Sequence, residues 1–446
     1  MNPLLKNDAR TRARALLHLH TAASAVATPV FADSANGDLT QSTDFKVFSG
    51  YQDLCRQRDG MAMLGLRNPY FSVHEGTQRG TVQVEEHTYS SFSSYNYLDL
   101  ASHPTVIESA VTALRRYGAT VSASRVVSGE ITLHRQLERA MSEFLGMEDA
   151  VAFVSGYATN VSTLGYLFGP RDIILHDALI HNSAITGAKL SGARRMPYPH
   201  NDYAALDRIL AENRKQYRRA VIVTEGVFSM DGDIAHLPEL VAIKQRHHAL
   251  LMVDEAHSLG VLGKTGAGLA EHFGLPTKVI DIWMGTLSKS LSSCGGVIAG
   301  SQSLIDNLRM NAPGGILYSV GLSPANTAAA ISALALLRAE PHRVTRLRHN
   351  SRYFMEQTRA HGLNTGLAEG TPVVPVILGN SLSSLRVSDR LFQQGIQVHP
   401  ILYPAVSEEA ARLRFFITSG HDEPQLDHAA QATAEAVAWA GGKVAR

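Results

Sequence analysis

The sequence predicts an α/β protein: a large domain with a mostly parallel central sheet sandwiched by helices, then a smaller C-terminal α/β domain. Three observations predict it. Apolar runs of strand length recur from residue 149 to 285, most of them separated by helix-length segments, the signature of a parallel sheet covered on both faces. The runs end in polar, chemistry-bearing residues, and sheets of this kind bind ligands beyond the carboxyl ends of their strands. From about Ala330 the texture changes to long helical segments interrupted by a few further apolar runs. A length of 446 residues suits two domains better than one simple core.

Taken in order, residues 1–44 read as a flexible extension. Arg10, Arg12 and Arg14 precede an apolar stretch with the outline of a targeting peptide, but His18 and His20 interrupt it, and residues 4–20 read as helix-prone. Residues 21–44 are small and polar, with Gly and Pro and no periodicity, as in a linker. Residues 45–95 form an N-terminal segment ending in the alternating, β-prone "TYSSFSSYNYLDL". The large domain is expected over 96–330. It opens with "HPTVIESAVTALRRYG", a helix begun by Pro104 and closed by Gly118. The strand runs are "DAVAFVSG" (149–156), "RDIILHD" (171–177), "RAVIVTEGVFS" (219–229), "ALLMVDEAHS" (249–258) and "KVIDIWMG" (278–285). The smaller domain is expected over 331–446, with "VVPVILG", "IQVHPILYP" and "RLRFFITSG" as strands.

Composition narrows the function. The net charge of +1 gives no pull toward nucleic acid or anionic membrane. Two cysteines, Cys55 and Cys294, make no disulfide framework, so a reducing, cytoplasmic setting is the default. The 20 histidines show no metal-type spacing. No apolar run approaches the ~20 residues that span a bilayer.

The residues ending the strand runs are Ser155, His181, Ser229, Asp254, His257 and Lys289, and they are expected to converge on one crevice. "SGYATN" follows a strand and opens a helix, whose free N–H groups suit a phosphate. Asp254 closes a strongly apolar strand, so its carboxylate needs a cationic partner: a lysine, a metal or a protonated ring nitrogen. Lys289 follows the next strand, preceded by Thr286 and Ser288, and the glycines of a nucleotide-binding Walker loop are absent around it. Singly, His181 reads as a structural histidine, Ser229 as a turn serine, and Asp254 with Lys289 as an ion pair. Together at successive strand ends they match pyridoxal 5′-phosphate (PLP), which needs a Schiff-base lysine, a carboxylate at the pyridine nitrogen, a ring over its face and a phosphate cradle.

These residues carry a resemblance. "VTEGVFSMDGD" (223–233), "LMVDEAHSLGVLG" (251–263) and the Thr-x-x-Lys of "TLSKS" are similar to the motifs of the α-oxoamine synthases, fold-type I PLP enzymes, and the resemblance runs from about Phe45 to the C-terminus. It implies condensation of an amino acid with an acyl thioester, with loss of carbon dioxide and thiol. It assigns Lys289 as the Schiff-base lysine and later base, Asp254 to the pyridinium nitrogen, and His181 to the ring face. It places His257 and Ser229 near the phenolic oxygen, Gly156, Tyr157 and Thr286 at the phosphate, and Arg414 at the substrate carboxylate. It also implies a homodimer in which a Ser-Thr pair from the partner reaches the phosphate. Here Ser319 keeps the first hydroxyl, Val320 replaces the second, and Ser323 replaces a proline.

Two departures bear on substrate. Glycine-using members carry Asn-Asp-Tyr-Leu-Gly where this chain has Tyr95 through Asp99, so Tyr95 replaces Asn and Asp99 replaces Gly. Ser124 stands where they have Thr, leaving room for a substrate side chain such as that of alanine or serine. Residues 44–76 and "DIWMGTLSKSLSSCGG" look most like polyketide-associated members, which take the acyl group from a carrier protein rather than coenzyme A. The rival readings are a fold-type I aminotransferase, a coenzyme A-using synthase of primary metabolism, and a non-catalytic module that keeps the fold.

Overall fold

The computed structural model describes residues 43–441. The expected helix over 4–20, and all but the last two residues of the expected extension, lie outside them. Asp44 caps the short 3-10 turn Phe45–Val47 by accepting the Lys46 N–H at 2.8 Å. A helix over Ser49–Met63 follows, then an antiparallel meander of β1 (His74–Glu75), β2 (Thr81–Val84) and β3 (His87–Ser91). The helix begun by Pro104 forms over Pro104–Tyr117, and Gly118 ends it at φ 83°, a conformation that favours glycine. The next helix, Thr132–Leu145, buries His134, Leu137, Glu138, Met141 and Leu145, one stripe at helical spacing.

The central sheet comprises β4 (Asp149–Phe153), β5 (Ile173–Asp177), β6 (Arg194–Tyr198), β7 (Ala220–Glu225), β8 (Leu250–Asp254), β9 (Ile282–Thr286) and β10 (Gly296–Gly300), in the spatial order β4-β10-β9-β8-β7-β5-β6. All pairings are parallel except those of β10, which runs antiparallel to both neighbours. Both faces are buried. Leu175, Ile222, Val253 and Trp283 face one core, and Ile174, Val223, Met252 and Met284 face the other. The strands therefore read as continuous apolar runs rather than alternating ones.

Two strands of this sheet escape a search for apolar runs. β6 is an edge strand, largely open to solvent, and its RRMPY text is polar for that reason. β10 is the five-residue GVIAG, made inconspicuous by its flanking glycines. Those glycines are required by packing. A Cβ on Gly296 would lie 2.3 Å from Thr159 Oγ1, and Gly295 has φ 125°.

The C-terminal layer holds β11 (Val373–Ile377), β12 (Ile396–Gln397), β13 (His399–Ile401) and β14 (Arg412–Phe416). The run "IQVHPILYP" is thus two strands serving two sheets: β13 joins the antiparallel sheet β11-β14-β13, while β12 pairs parallel with β3. The N-terminal segment consequently shares the C-terminal core, where Phe92 packs against Phe354, Phe415 and His421 at centroid distances of 5.7, 5.5 and 4.6 Å. The expected boundary between 330 and 331 falls inside the helix Pro324–Ala339, which packs on Pro104–Tyr117 and Thr132–Leu145. Among the described residues no helix is long and apolar enough to cross a membrane.

The loops at the carboxyl end of the sheet are tied by His200. Its Nδ1 lies 2.9 Å from Asp177 Oδ1 and its Nε2 2.8 Å from Asp233 Oδ2. Burial opposes a charge on this ring, but the two carboxylates outweigh it and raise its pKa to about 10. A folded-state pKa above the ordinary 6.5 contributes stability that is complete below pH ~6.5 and is lost as pH rises through about 10. The urea midpoint is expected to fall between pH 7 and 10. His200→Gln should flatten that slope and cost about 3 kcal/mol at neutral pH.

Candidate active site

The reversed direction of β10 makes the β9–β10 connection a hairpin at the carboxyl end of the sheet, and Lys289 sits in it. The loop is pinned across its base by Leu287 N–H to Gly295 O at 2.9 Å and Ser293 N–H to Leu287 O at 2.9 Å, and at its tip by Ser292 N–H to Lys289 O at 3.0 Å. Thr286 Oγ1 lies 2.8 Å from Ser288 Oγ and 3.1 Å from Gly295 O. Facing it is the N-terminus of the helix Gly156–Leu167. A Cβ on Gly156 would come within 2.8 Å of Thr286 Oγ1, so only glycine permits this approach. Ser155 caps the helix by accepting the Ala158 N–H at 3.0 Å. The Gly156 and Tyr157 N–H groups have no intrahelical acceptor and adjoin the Thr286 hydroxyl, the donor set of a phosphate cradle.

Asp254 ends β8 and is 4% exposed. Its Oδ2 accepts Asn160 Nδ2–H at 2.7 Å and its Oδ1 accepts the Ala256 N–H at 3.0 Å. Lys289 Nζ makes no ion pair with it. Among the described residues the amine has no hydrogen-bond partner, and the Tyr95 ring lies 5.7 Å away. The bland reading of Asp254 and Lys289 as a mutual pair is thereby set aside. Both line one cavity with Gly156, His181, His257 and Thr286, and Lys289 is its only lysine or arginine. Desolvation is the largest influence on the amine and, with Arg414 nearby, overcomes Asp254 and Glu225 to bring its pKa down to about 8.

The two histidines are held by different partners. His181 precedes the helix Asn182–Leu190, with Nδ1 2.7 Å from Ser183 Oγ. It is open to solvent along the cleft, but desolvation by the surrounding protein and the charges of Lys289 and Arg414 lower its pKa against the pull of Asp254. His257 is buried, with Nδ1 2.7 Å from Tyr97 Oη. Burial first, then the same two cations, lower its pKa well below the ordinary value, so the ring is neutral.

Arg414, on β14, reaches over from the C-terminal layer. It is half-buried beside the Phe416 ring, with Nη1 3.0 Å from Ser229 O and an enclosed Nε that has no partner. Ser229 does not line the cofactor cavity: its backbone joins Arg414 to Glu225 instead. Tyr95 lines a second recess that shares Ser288 and Lys289 with the first. Ser124 lines neither recess; it caps the π-helix Arg125–Gly129 through its carbonyl. Ser319 follows the outward-turned Tyr318, 90% exposed, and precedes Val320, 47% exposed. Ser319 too is absent from the cavity of its own chain. Cys294 is exposed.

Several residues of the site were not anticipated. Asn160, bonded to Asp254, stands four positions after Gly156 on the same helix face, a spacing readable in the text. Glu225 closes β7 as Asp254 closes β8, a charged residue ending a buried strand. Tyr97 gave no such signal, because its partner His257 is 160 residues away.

The residues present fit PLP. They include a cradle that a Cβ would fill, a lysine amine without a partner, a carboxylate on the same cavity and a neutral histidine on each of two loops. Comparison with known proteins agrees. The aminotransferase class I and II family matches residues 88–432. An 8-amino-7-oxononanoate synthase of Symbiobacterium thermophilum is 39% identical over 383 residues, which is 86% of this chain and 96% of that protein. A serine palmitoyltransferase of Sphingobacterium spiritivorum is 38% identical over 366 residues, 81% of this chain and 90% of that one. A solved structure of SPT with PLP superimposes with a TM-score of 0.84 at 27% identity, over 89% of this chain and 99% of that chain.

Two outcomes are expected. Cofactor-free protein should take up PLP at a rate that rises with pH around a midpoint near 8 instead of the ordinary 10.5, because only the neutral amine attacks an aldehyde; stopped-flow absorbance from pH 6 to 10 measures it. Gly156→Ala should weaken PLP binding by about tenfold, a loss of roughly 1.4 kcal/mol, in a fluorescence titration, and should also lower the unfolding midpoint, because the added Cβ forces the helix and hairpin apart.

Proposed function

The chain belongs to the α-oxoamine synthase family of fold-type I PLP enzymes, and we propose that it condenses an amino acid larger than glycine with an acyl thioester, carrier-protein-bound on the likeness of residues 44–76 to polyketide-associated members. The products are an α-amino ketone, carbon dioxide and the free thiol. The observation that carries the reaction class is the unpartnered Lys289 amine on the same cavity as a hydrogen-bonded Asp254, above the Gly156–Thr286 cradle.

PLP, when bound, supplies an aldehyde that captures the substrate amine and a ring that draws electrons from Cα. The protein's own groups do the rest. Gly156, Tyr157 and Thr286 would hold the phosphate. Asp254, oriented by Asn160 and the Ala256 N–H, would keep a proton on the ring nitrogen. His181 would cover the ring face, and the Tyr97–His257 pair would present a neutral imidazole to the ring oxygen. Arg414 binds the amino-acid carboxylate through guanidinium donors that Ser229 O leaves free. Lys289 moves the Cα proton, since an amine with a pKa of about 8 accepts a proton near neutral pH and gives it back.

The substrate proposal rests on Tyr95, which differs from the residue of glycine users and lines the recess beside Lys289. The acyl group is assigned to the recess on the Tyr95 side of Lys289, where neutral groups including Gln78, Asn96 and Ser292 suit an uncharged thioester arm. Dimerisation is proposed from the outward-facing Tyr318–Val320 segment, with Ser319 reaching the partner's phosphate site.

Holoenzyme incubated with glycine, alanine or serine and one acyl group, carried by coenzyme A or by a carrier protein, should release thiol and carbon dioxide in equal amounts. Alanine or serine should be preferred, with the carrier protein as donor. Amine transfer to a keto acid without thiol release would show an aminotransferase, and turnover with acyl-coenzyme A alone would refute the carrier. Lys289→Ala should lose the lysine-linked absorbance and about 10²–10⁴-fold in rate.

A further inference from the structure

Glu225 is a buried acid that the reaction above does not use. It closes β7, is 2% exposed, and is the register partner of Asp254 on the adjacent parallel strand. It lines the cofactor cavity with Lys289, His181 and Asp254. Its Oε2 accepts the Ser229 N–H at 3.1 Å, and its Oε1 is buried without a partner. The Ser229 carbonyl in turn accepts Arg414 Nη1 at 3.0 Å, and Met230 Sδ lies 3.2 Å from the same nitrogen. The path from the cofactor floor to the arginine is therefore Glu225 carboxyl, Ser229 peptide, Arg414 guanidinium.

We propose that Glu225 is a positioning residue that holds the turn 226–230 and so places Arg414 at the working distance from Lys289 for the amino-acid carboxylate. The proposal rests on the reading of Arg414 as the carboxylate anchor. Burial and then the neighbouring Asp254 drive the Glu225 carboxyl well above the usual carboxylate range, against Lys289 and the backbone N–H groups of Ser229 and His181. A neutral carboxyl keeps the oxygen that accepts Ser229 N–H and places no second negative charge beside Asp254. An amide has the same shape and the same acceptor, so glutamine meets the requirement. Leucine fills the volume but leaves the buried Ser229 N–H unpaired and the turn free to move.

The test measures amino-acid binding to PLP-loaded enzyme, without thioester, through the change in cofactor absorbance. Cofactor content and unfolding temperature are read alongside. Glu225→Gln is expected to bind alanine within about threefold of the parent. Glu225→Leu should bind it about 10–100-fold more weakly with cofactor content retained. Ethylamine, which lacks the carboxylate, should bind both variants and the parent alike. In an Arg414→Ala background, Glu225→Leu should add no further loss. Glu225→Asp, which draws the acceptor back by one methylene, should weaken alanine binding in the same way and serves if the leucine variant does not fold. Normal alanine binding by Glu225→Leu or Glu225→Asp, equal weakening for ethylamine, or a glutamine variant as impaired as leucine would each overturn the proposal. If Arg414→Ala itself binds alanine normally, the underlying assignment of Arg414 fails instead.

Discussion

The active-site end of the molecule depends on the close approach of the helix Gly156–Leu167 to the β9–β10 hairpin. Gly156 meets Thr286 and Gly296 meets Thr159, and at each contact a single Cβ would collide. This contact brings helical N–H groups, a threonine hydroxyl and Lys289 within reach of one ligand. It also explains why β10 is short, glycine-flanked and reversed. A parallel strand would need a long crossover, whereas a hairpin keeps the lysine loop tight and its backbone bonded across the base.

Around that contact the sheet gathers an unusual density of ionisable groups. Asp254 and Glu225 end adjacent strands, Lys289 leaves the next, His257 follows Asp254 beyond β8, His181 follows β5, and Arg414 arrives from the C-terminal layer. Low-dielectric surroundings cannot hold all of them charged. Burial pushes Glu225 toward its neutral form and both histidines toward theirs, and lowers the lysine. Asp254 is the carboxylate given two hydrogen-bond donors by the fold, Asn160 and the Ala256 N–H. A site with one well-donated carboxylate and one accessible amine is organised to hold a proton at one place and move it at another.

Much of this was legible in the text because β-strands buried on both faces must be apolar, so a charged residue at their ends stands out. Asp254, Lys289, His181 and His257 are visible on that ground, and they do meet in one cavity. The β6 edge strand was invisible because exposure removes the apolar signal, and the break inside "IQVHPILYP" because two sheets share one run. Ser229 shows a different limit. Its position beside the motif was readable, but its backbone rather than its hydroxyl makes the connection, and backbone roles carry no residue signature.

The sequence by itself determined the layered α/β architecture, the strand ends and the residue types available there, since these follow from burial periodicity along the chain. Only the tertiary structure decided that β10 runs backwards, that the N-terminal meander completes the C-terminal layer, and that Tyr97, Asn160 and Glu225 stand against His257, Asp254 and Ser229. Those outcomes depend on which strands become neighbours. Neighbours are chosen by packing between segments far apart in the chain, and no local periodicity records that choice.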